Sequence, residues 1–187
     1  MMIMNILITG KPGCGKTTLI FRVVEELGAR GYRAGGIYCP EIREGGRRVG
    51  FMIVDLRSGE SRILSHINEK GPKVGKYGVN VENVDEMSRK AIERALKESD
   101  IIVIDEIAPM EVLSEVFRKF VLRALDSEKP LLAAIHEKSN RGFIGEIKKR
   151  KDVFLFTLTH ENREKLFSEV LDLLLTHLGS ISQDSTR

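Results

Sequence analysis

Short, unbroken apolar runs alternate along this chain with longer stretches in which apolar residues return every three or four positions. The run over residues 3–9 stops at a glycine-rich turn and predicts a buried strand. Over 16–30 the stripe Leu19, Ile20, Val23, Val24 and Leu27 predicts an amphipathic helix, ended by Gly31. The alternation resumes later. It predicts a helix over 84–99, a strand over 101–104, a helix over 112–125 and a strand over 131–135. A short helix over 143–150, a strand over 153–158 and a last helix over 161–178 complete it.

Residues 34–81 break the pattern. Two strand-like runs, at Ile37-Tyr38 and over 49–54, flank Gly45-Gly46, which marks a hairpin. Ser58-Gly59 predicts a second turn, with a short strand near Ile63-Leu64. The expectation is a β-rich insertion without a helix, a meander packed beside the main sheet. Strands separated by helices imply right-handed crossovers and a mostly parallel sheet in three layers, an α/β fold. Residues 1–178 read as one domain, followed by a polar, frayed tail over 179–187.

Composition narrows the classes of function. Hydrophobic residues at 42% and charged residues at 30% describe a soluble globular chain. A net charge of +3 leaves no strong footprint for a nucleic-acid backbone, and 6% aromatic residues with no Trp count against a single-strand binder. The basic clusters Arg47-Arg48 and 148–151 read as solvated faces. High Lys, Arg and Glu usage suits a heat-adapted protein. Cys14 and Cys39 fit no metal or disulfide spacing and read as free thiols in a reducing compartment. The N-terminus lacks the features of a signal peptide, and no apolar run approaches the roughly 20 residues of a membrane helix. A cytoplasmic monomer without membrane or nucleic-acid partners is expected.

The chemistry begins directly after the first strand. Gly10, Lys11, Pro12, Gly13, Cys14, Gly15, Lys16 and Thr17 fill G-x-x-x-x-G-K-[ST] completely, with Thr18 following. Glycines let backbone N–H groups turn inward around phosphates, and the next helix aims its positive end at the same anion. Lys16 is placed for the β- and γ-phosphates, and the Thr17 hydroxyl for Mg²⁺. The expected ligands are nucleoside triphosphates.

The strand over 101–104 ends in Asp105-Glu106. Ligands of parallel sheets bind beyond the carboxyl ends of the strands, so both carboxylates should face the phosphates. Asp105 suits the metal, and Glu106 suits a base that deprotonates the attacking water. Weaker candidates follow. Glu111 is a second carboxylate or a first-turn helix acid. His136 is a phosphate sensor or a surface histidine, Arg141 a cationic finger or a solvated arginine. Asn162 and Arg163 flank the base, or the segment is an ordinary helix cap set by Thr159.

Taken together, the residues 8–19, Glu41-Ile42-Arg43 with Arg48-Val49-Gly50-Phe51, Lys76-Tyr77-Gly78-Val79, Asp105-Glu106-Ile107 with Met110-Glu111, and Glu161-Asn162-Arg163 resemble the cancer-related nucleoside-triphosphatase family. The resemblance runs to about Leu174. It implies a RecA-like P-loop fold with an extra strand between the two phosphate motifs. It also implies Mg²⁺-dependent hydrolysis of ATP, GTP and other triphosphates with low base selectivity. Its second nucleotide-binding segment maps onto Ile101, Ile102, Val103, Ile104, Asp105, Glu106, Ile107 and Ala108; Ala108 departs from the glycine common there. Two other readings compete: a P-loop kinase, with Arg141 and Arg150 as lid arginines, and a nucleotide-gated accessory protein. The guanine tetrapeptide Asn-Lys-x-Asp, which a dedicated GTP switch would carry, is absent from the sequence.

Overall fold

The computed structural model describes residues 3–186; Met1, Met2 and Arg187, the ends of the expected N-terminal run and of the expected tail, lie outside it. The first apolar run forms β1 (Asn5–Thr9), buried throughout. After α1 (Lys16–Ala29) the chain enters β2 (Ala34–Tyr38). Later come β8 (Ile101–Ile107), β9 (Leu131–Ile135) and β10 (Val153–Thr157). These five strands pair in parallel in the order β10, β1, β9, β8, β2. β9 thus separates β1 from β8, the strands that carry the two phosphate motifs.

Alternate residues of each strand enter different cores, which is what makes three layers. Ile6, Ile8, Ile101, Val103, Leu132 and Ala134 pack with α1 and with α6 (Arg163–Asp184). Leu7, Ile102, Ile104, Leu131 and Ala133 face the opposite way. There they meet α2 (Val81–Met87), α3 (Glu93–Glu98), α4 (Glu115–Asp126) and α5 (Gly142–Lys148). Alpha-helices α2 and α3 are joined by a π-helical turn over Ser88–Ile92, so the expected helix over 84–99 forms with an interruption. Asn80 caps α2 by accepting from the Asn83 N–H, and Ser114 caps α4 by accepting from Phe117.

Two expectations are corrected. The segment 34–81 is not one insertion: its first strand, β2, pairs in parallel with β8 from Ala34 opposite Ile101 to Tyr38 opposite Asp105. The sequence Ala-Gly-Gly-Ile-Tyr hides this because glycines weaken the strand signal. Gly36 is there for a close approach: at φ +128°, a Cβ would sit 1.9 Å from the Val103 carbonyl oxygen. The antiparallel strands β3 (Glu41–Glu44), β4 (Arg47–Asp55), β5 (Ser61–His66), β6 (Lys73–Val74) and β7 (Tyr77–Val79) also do not pack beside the sheet. They extend it edge to edge through β4, which pairs with β2. Gly45-Gly46 does turn the β3–β4 hairpin, and Ser58-Gly59 lies in the turn between β4 and β5.

The second correction concerns the C-terminus. α6 continues to Asp184, past the expected end at Leu178. Gly179 does not stop it, and Ser180, Ser182 and Ser185 each donate a hydroxyl to a carbonyl three or four residues back within the helix. No helix among the described residues is long and apolar enough to cross a membrane.

Candidate active site

The loop between β1 and α1 wraps over the carboxyl edge of the parallel strands. Its first glycine is fixed by contact: a Cβ on Gly10 would lie 2.7 Å from the Leu158 carbonyl oxygen and 2.8 Å from Cys14 Sγ. Gly15 caps α1 in the left-handed region at φ 102°. Lys16 folds back, and its Nζ donates to the Gly10 carbonyl at 2.8 Å. An ammonium parked on the loop's own carbonyl stands beside the place a phosphate would take.

Parallel pairing of β1, β9 and β8 brings the second motif to the same edge. Thr17 Oγ1 donates to Asp105 Oδ2 at 2.7 Å. The next residue, Glu106, is joined to Asp105 by a cis peptide, and its Oε2 is buried with no hydrogen-bond partner among the described residues. Burial pushes the Asp105 carboxyl up, against the Thr17 hydrogen bond and the charge of Lys16. Glu106 is also raised by burial, opposed by Lys16 and reinforced by Asp105. A carboxylate lifted towards neutrality and lacking a donor is chemically prepared to accept a proton from water.

These groups open into one cavity of ≈ 780 Å³. Pro12, Gly13, Gly15, Lys16, Thr17 and Thr18 form its near wall, with Asp105, Glu106 and Ala108 beneath. Glu111 lines it too, only 4% exposed, with its Oε2 unpartnered. Burial first, then Glu106, pushes its carboxyl up to about 8. Glu111 is therefore a buried acid of the site and not merely a first-turn helix residue. His136 reaches the cavity from the end of β9, its Nδ1 paired with Ser139 Oγ at 2.8 Å. Its pKa is lowered by burial and then by Lys148 and Lys16, so the neutral ring is favoured.

The remaining candidates divide. Arg163 lies against the phosphate loop, its guanidinium 3.8 Å from where a Gly15 Cβ would stand. It is positioned by α6, which Arg22 ties to α1 through Glu164 at 2.9 Å and through the Phe167 ring at 4.0 Å. Arg163 Nε is buried without a partner among the described residues. Asn162 is turned to its own loop: Oδ1 accepts from the Thr159 N–H and Nδ2 donates to the Thr157 carbonyl, both at 2.8 Å. Arg141 is exposed and stands outside the cavity wall.

Three expected roles are corrected by burial or pairing. Ile101, Ile102, Val103 and Ile104 are at most 1% exposed, and Ile107 is fully buried, so they carry Asp105 and Glu106 to the edge without touching a ligand themselves. Arg150, a candidate lid arginine, is held at 2.7 Å by both Asp126 and Asp152. Lys148 is likewise no surface charge: its ammonium donates to the carbonyls of His136, Glu137 and Ser139 and so ties down the loop that carries His136.

Sequence reasoning missed the far wall of the cavity, where Tyr38, Cys39, Arg48 and Phe51 stand. Arg48 and Phe51 fall within the stretch that carried the family resemblance, which was the available signal. Burial, then Glu111, pushes the Cys39 thiol well up. Among the described residues no group of three or more His, Cys, Asp or Glu is gathered to hold a metal. A Thr hydroxyl beside one carboxylate instead suits a magnesium ion that takes its other oxygens from water and phosphate.

A phosphate loop at the head of a helix, facing a carboxylate pair across a parallel sheet, defines a P-loop nucleoside-triphosphate-binding protein. The chain belongs to the family described as NTPase, whose sequence profile matches residues 5–171. It is 47% identical over 175 residues to the nucleoside-triphosphatase THEP1 of Methanocaldococcus jannaschii, spanning 94% of this chain and 99% of that protein. The THEP1 nucleoside-triphosphatase of Methanopyrus kandleri is 44% identical, over 93% of this chain and 97% of the relative. The crystal structure of THEP1 from Aquifex aeolicus superposes with a TM-score of 0.81 at 36% identity, covering 91% of this chain and 99% of that one. The solution structure of a human cancer-related nucleoside triphosphatase gives 0.77 at 33%, covering 92% and 98%. The chain is a nucleoside-triphosphatase, as the resemblance implied, and its RecA-like α/β fold is the one those structures share.

Proposed function

We propose that the chain hydrolyses ATP, GTP and other nucleoside triphosphates to diphosphate and phosphate, with magnesium required and little selection among bases. The observation that carries this is Glu106, which lines the cavity beside the Thr17–Asp105 pair and keeps a buried oxygen without a hydrogen-bond partner among the described residues. Thr17 and Asp105 would hold the magnesium ion, which when bound supplies positive charge against the triphosphate. Loop amides and Lys16 bind and orient the γ-phosphate. Glu106 accepts the proton of the attacking water.

Weak base selection follows from what remains for the base to meet. Asn162 has committed its amide to backbone. Arg163 offers a planar cation, which stacks on any base. Two unpaired thiols, Cys14 and Cys39, fit a cytoplasmic setting.

Phosphate release measured over ATP, GTP, CTP and UTP tests the reading. The expected result is turnover of all four within about tenfold, abolished by chelating magnesium. Strong preference for one base, or full turnover in chelator, overturns the corresponding half of the proposal.

A further inference from the structure

The cavity does not end where a γ-phosphate would lie. Past Glu106 it continues between the end of β2, the β3–β4 hairpin and the loop after β8, where Tyr38, Glu41, Arg48, Phe51 and Glu111 line it. A water molecule claims about 30 Å³ of liquid volume. Delivering one nucleophilic water needs none of this wall.

The wall has the make-up of a small-molecule site, apolar and aromatic with a few fixed polar groups. The Arg48 guanidinium is held on three sides. Its Nε donates to the Tyr77 hydroxyl at 2.9 Å, its Nη1 donates to Glu41 at 3.2 Å, and it lies 5.2 Å from the Phe51 ring centroid. Phe51 is itself braced edge-on by Tyr77 at 5.6 Å, and Tyr38 by Phe21 at 5.0 Å. Glu106 and Glu111 line the same cavity, and each keeps one buried oxygen, Oε2, without a hydrogen-bond partner among the described residues. A buried acceptor without a donor is unfavourable, so a ligand that brings hydroxyl protons gains by meeting them. The carboxylates of Asp105 and Glu106 disfavour a second phosphate or a nucleic-acid strand in the same space.

We propose that this half of the cavity binds a second small molecule, a neutral flat ring of nucleoside size that carries hydroxyl groups. Its ring lies against Phe51 and Tyr38, and its hydroxyls donate to Glu106 and Glu111. Arg48 donates to a ring or sugar oxygen. The molecule displaces solvent beside Glu106 and thereby controls the rate at which water reaches the γ-phosphate. The inference rests on the reading that the triphosphate lies over the phosphate loop.

Adenosine, guanosine, cytidine and uridine serve as probes. Protein with magnesium and a non-hydrolysable ATP analogue is titrated with each, and ligand-observed NMR follows analogue and nucleoside separately. At least one nucleoside is expected to bind, and Phe51→Ala to weaken it about tenfold, the loss of one ring contact. Phe51→Leu and Arg48→Met, checked by thermal melting, stand in if the alanine variant does not fold. Saturating nucleoside is expected to change phosphate release at least threefold. With ATP in place of the analogue, a nucleoside monophosphate detected by mass spectrometry also supports the site: the nucleoside hydroxyl takes the γ-phosphoryl group as its bond to ADP breaks, ADP leaves, and Glu106 takes the hydroxyl proton. Binding of the analogue without any nucleoside overturns this inference and leaves the hydrolase reading standing. So does nucleoside binding that is indifferent to all three substitutions, or a release rate unmoved at saturation. No binding of the analogue itself overturns the hydrolase reading, and this inference with it.

Discussion

Thr17 donates its hydroxyl to Asp105 Oδ2 at 2.7 Å across 88 positions of sequence. The bond closes the first turn of α1 onto the end of β8 and sets side by side the two oxygens proposed to hold magnesium. Removing either should loosen the metal while leaving the loop amides in place. For Thr17→Ala and for Asp105→Asn the magnesium concentration at half-maximal phosphate release should rise about tenfold or more. An unchanged magnesium titration would show that this pair does not hold the ion.

Glu106 is assigned the proton of the attacking water, and Glu106→Gln keeps its shape while removing that basicity. The variant should bind a fluorescent triphosphate within about threefold of the parent and lose roughly 10²- to 10⁴-fold in phosphate release. Lys16→Ala should fail earlier, at binding. Comparable turnover in Glu106→Gln and the parent would remove the base from Glu106.

Gly10 meets Leu158 and Cys14 too closely for any side chain. Gly10→Ala should lower stability by about 1–3 kcal/mol, because a backbone carbonyl must move and φ is already +150°. Chemical denaturation would measure it. A midpoint equal to the parent's would mean the loop accommodates the methyl freely.

Glu111 makes stability depend on pH. Its carboxyl is held up at about 8 in the folded protein against 4.5 for the free group. The folded state therefore keeps a proton that the unfolded chain releases, so the contribution is full below pH 4.5 and lost as pH rises through about 8. In that window one proton is worth about 1.4 kcal/mol per pH unit. Without magnesium or nucleotide, the parent's unfolding free energy should fall more steeply from pH 5 to 8 than that of Glu111→Gln. Parallel curves would show that Glu111 ionises normally.

Lys148 donates to three carbonyls of the loop after β9, at 2.6, 3.0 and 2.8 Å. Lys148→Met strands those acceptors and should cost about 1–3 kcal/mol by denaturation. It should also free His136, visible as broadening of that imidazole's NMR signals. An unaltered His136 spectrum would show that the loop holds itself.

The residues that told most in the sequence were those whose roles are local. The phosphate loop, the helix it opens, the apolar run before Asp105-Glu106 and the hairpin at Gly45-Gly46 each follow from spacing, propensity or a turn within a few positions. Those signals are written in neighbouring residues, so the strand ends that present the chemistry could be read directly. The partners of a side chain across the sheet are not so written. Arg141, Lys148 and Arg150 look alike as basic residues, yet one is exposed, one ties down a loop and one is locked between two aspartates. Glu111 looks like a helix-start acid, yet the folded chain leaves it only 4% exposed at the cavity wall.

By itself the sequence pointed to a nucleoside-triphosphatase and to the loop expected to grip the triphosphate, because backbone amides around phosphate demand a short and nearly fixed string of residues. Only the tertiary structure decided that β2 joins the parallel sheet, that β9 separates the two phosphate motifs, and that one cavity runs on from Glu106 to Phe51. Those outcomes depend on strand order and on burial across long sequence separations, where hydrophobic packing chooses among pairings that local patterns leave equal.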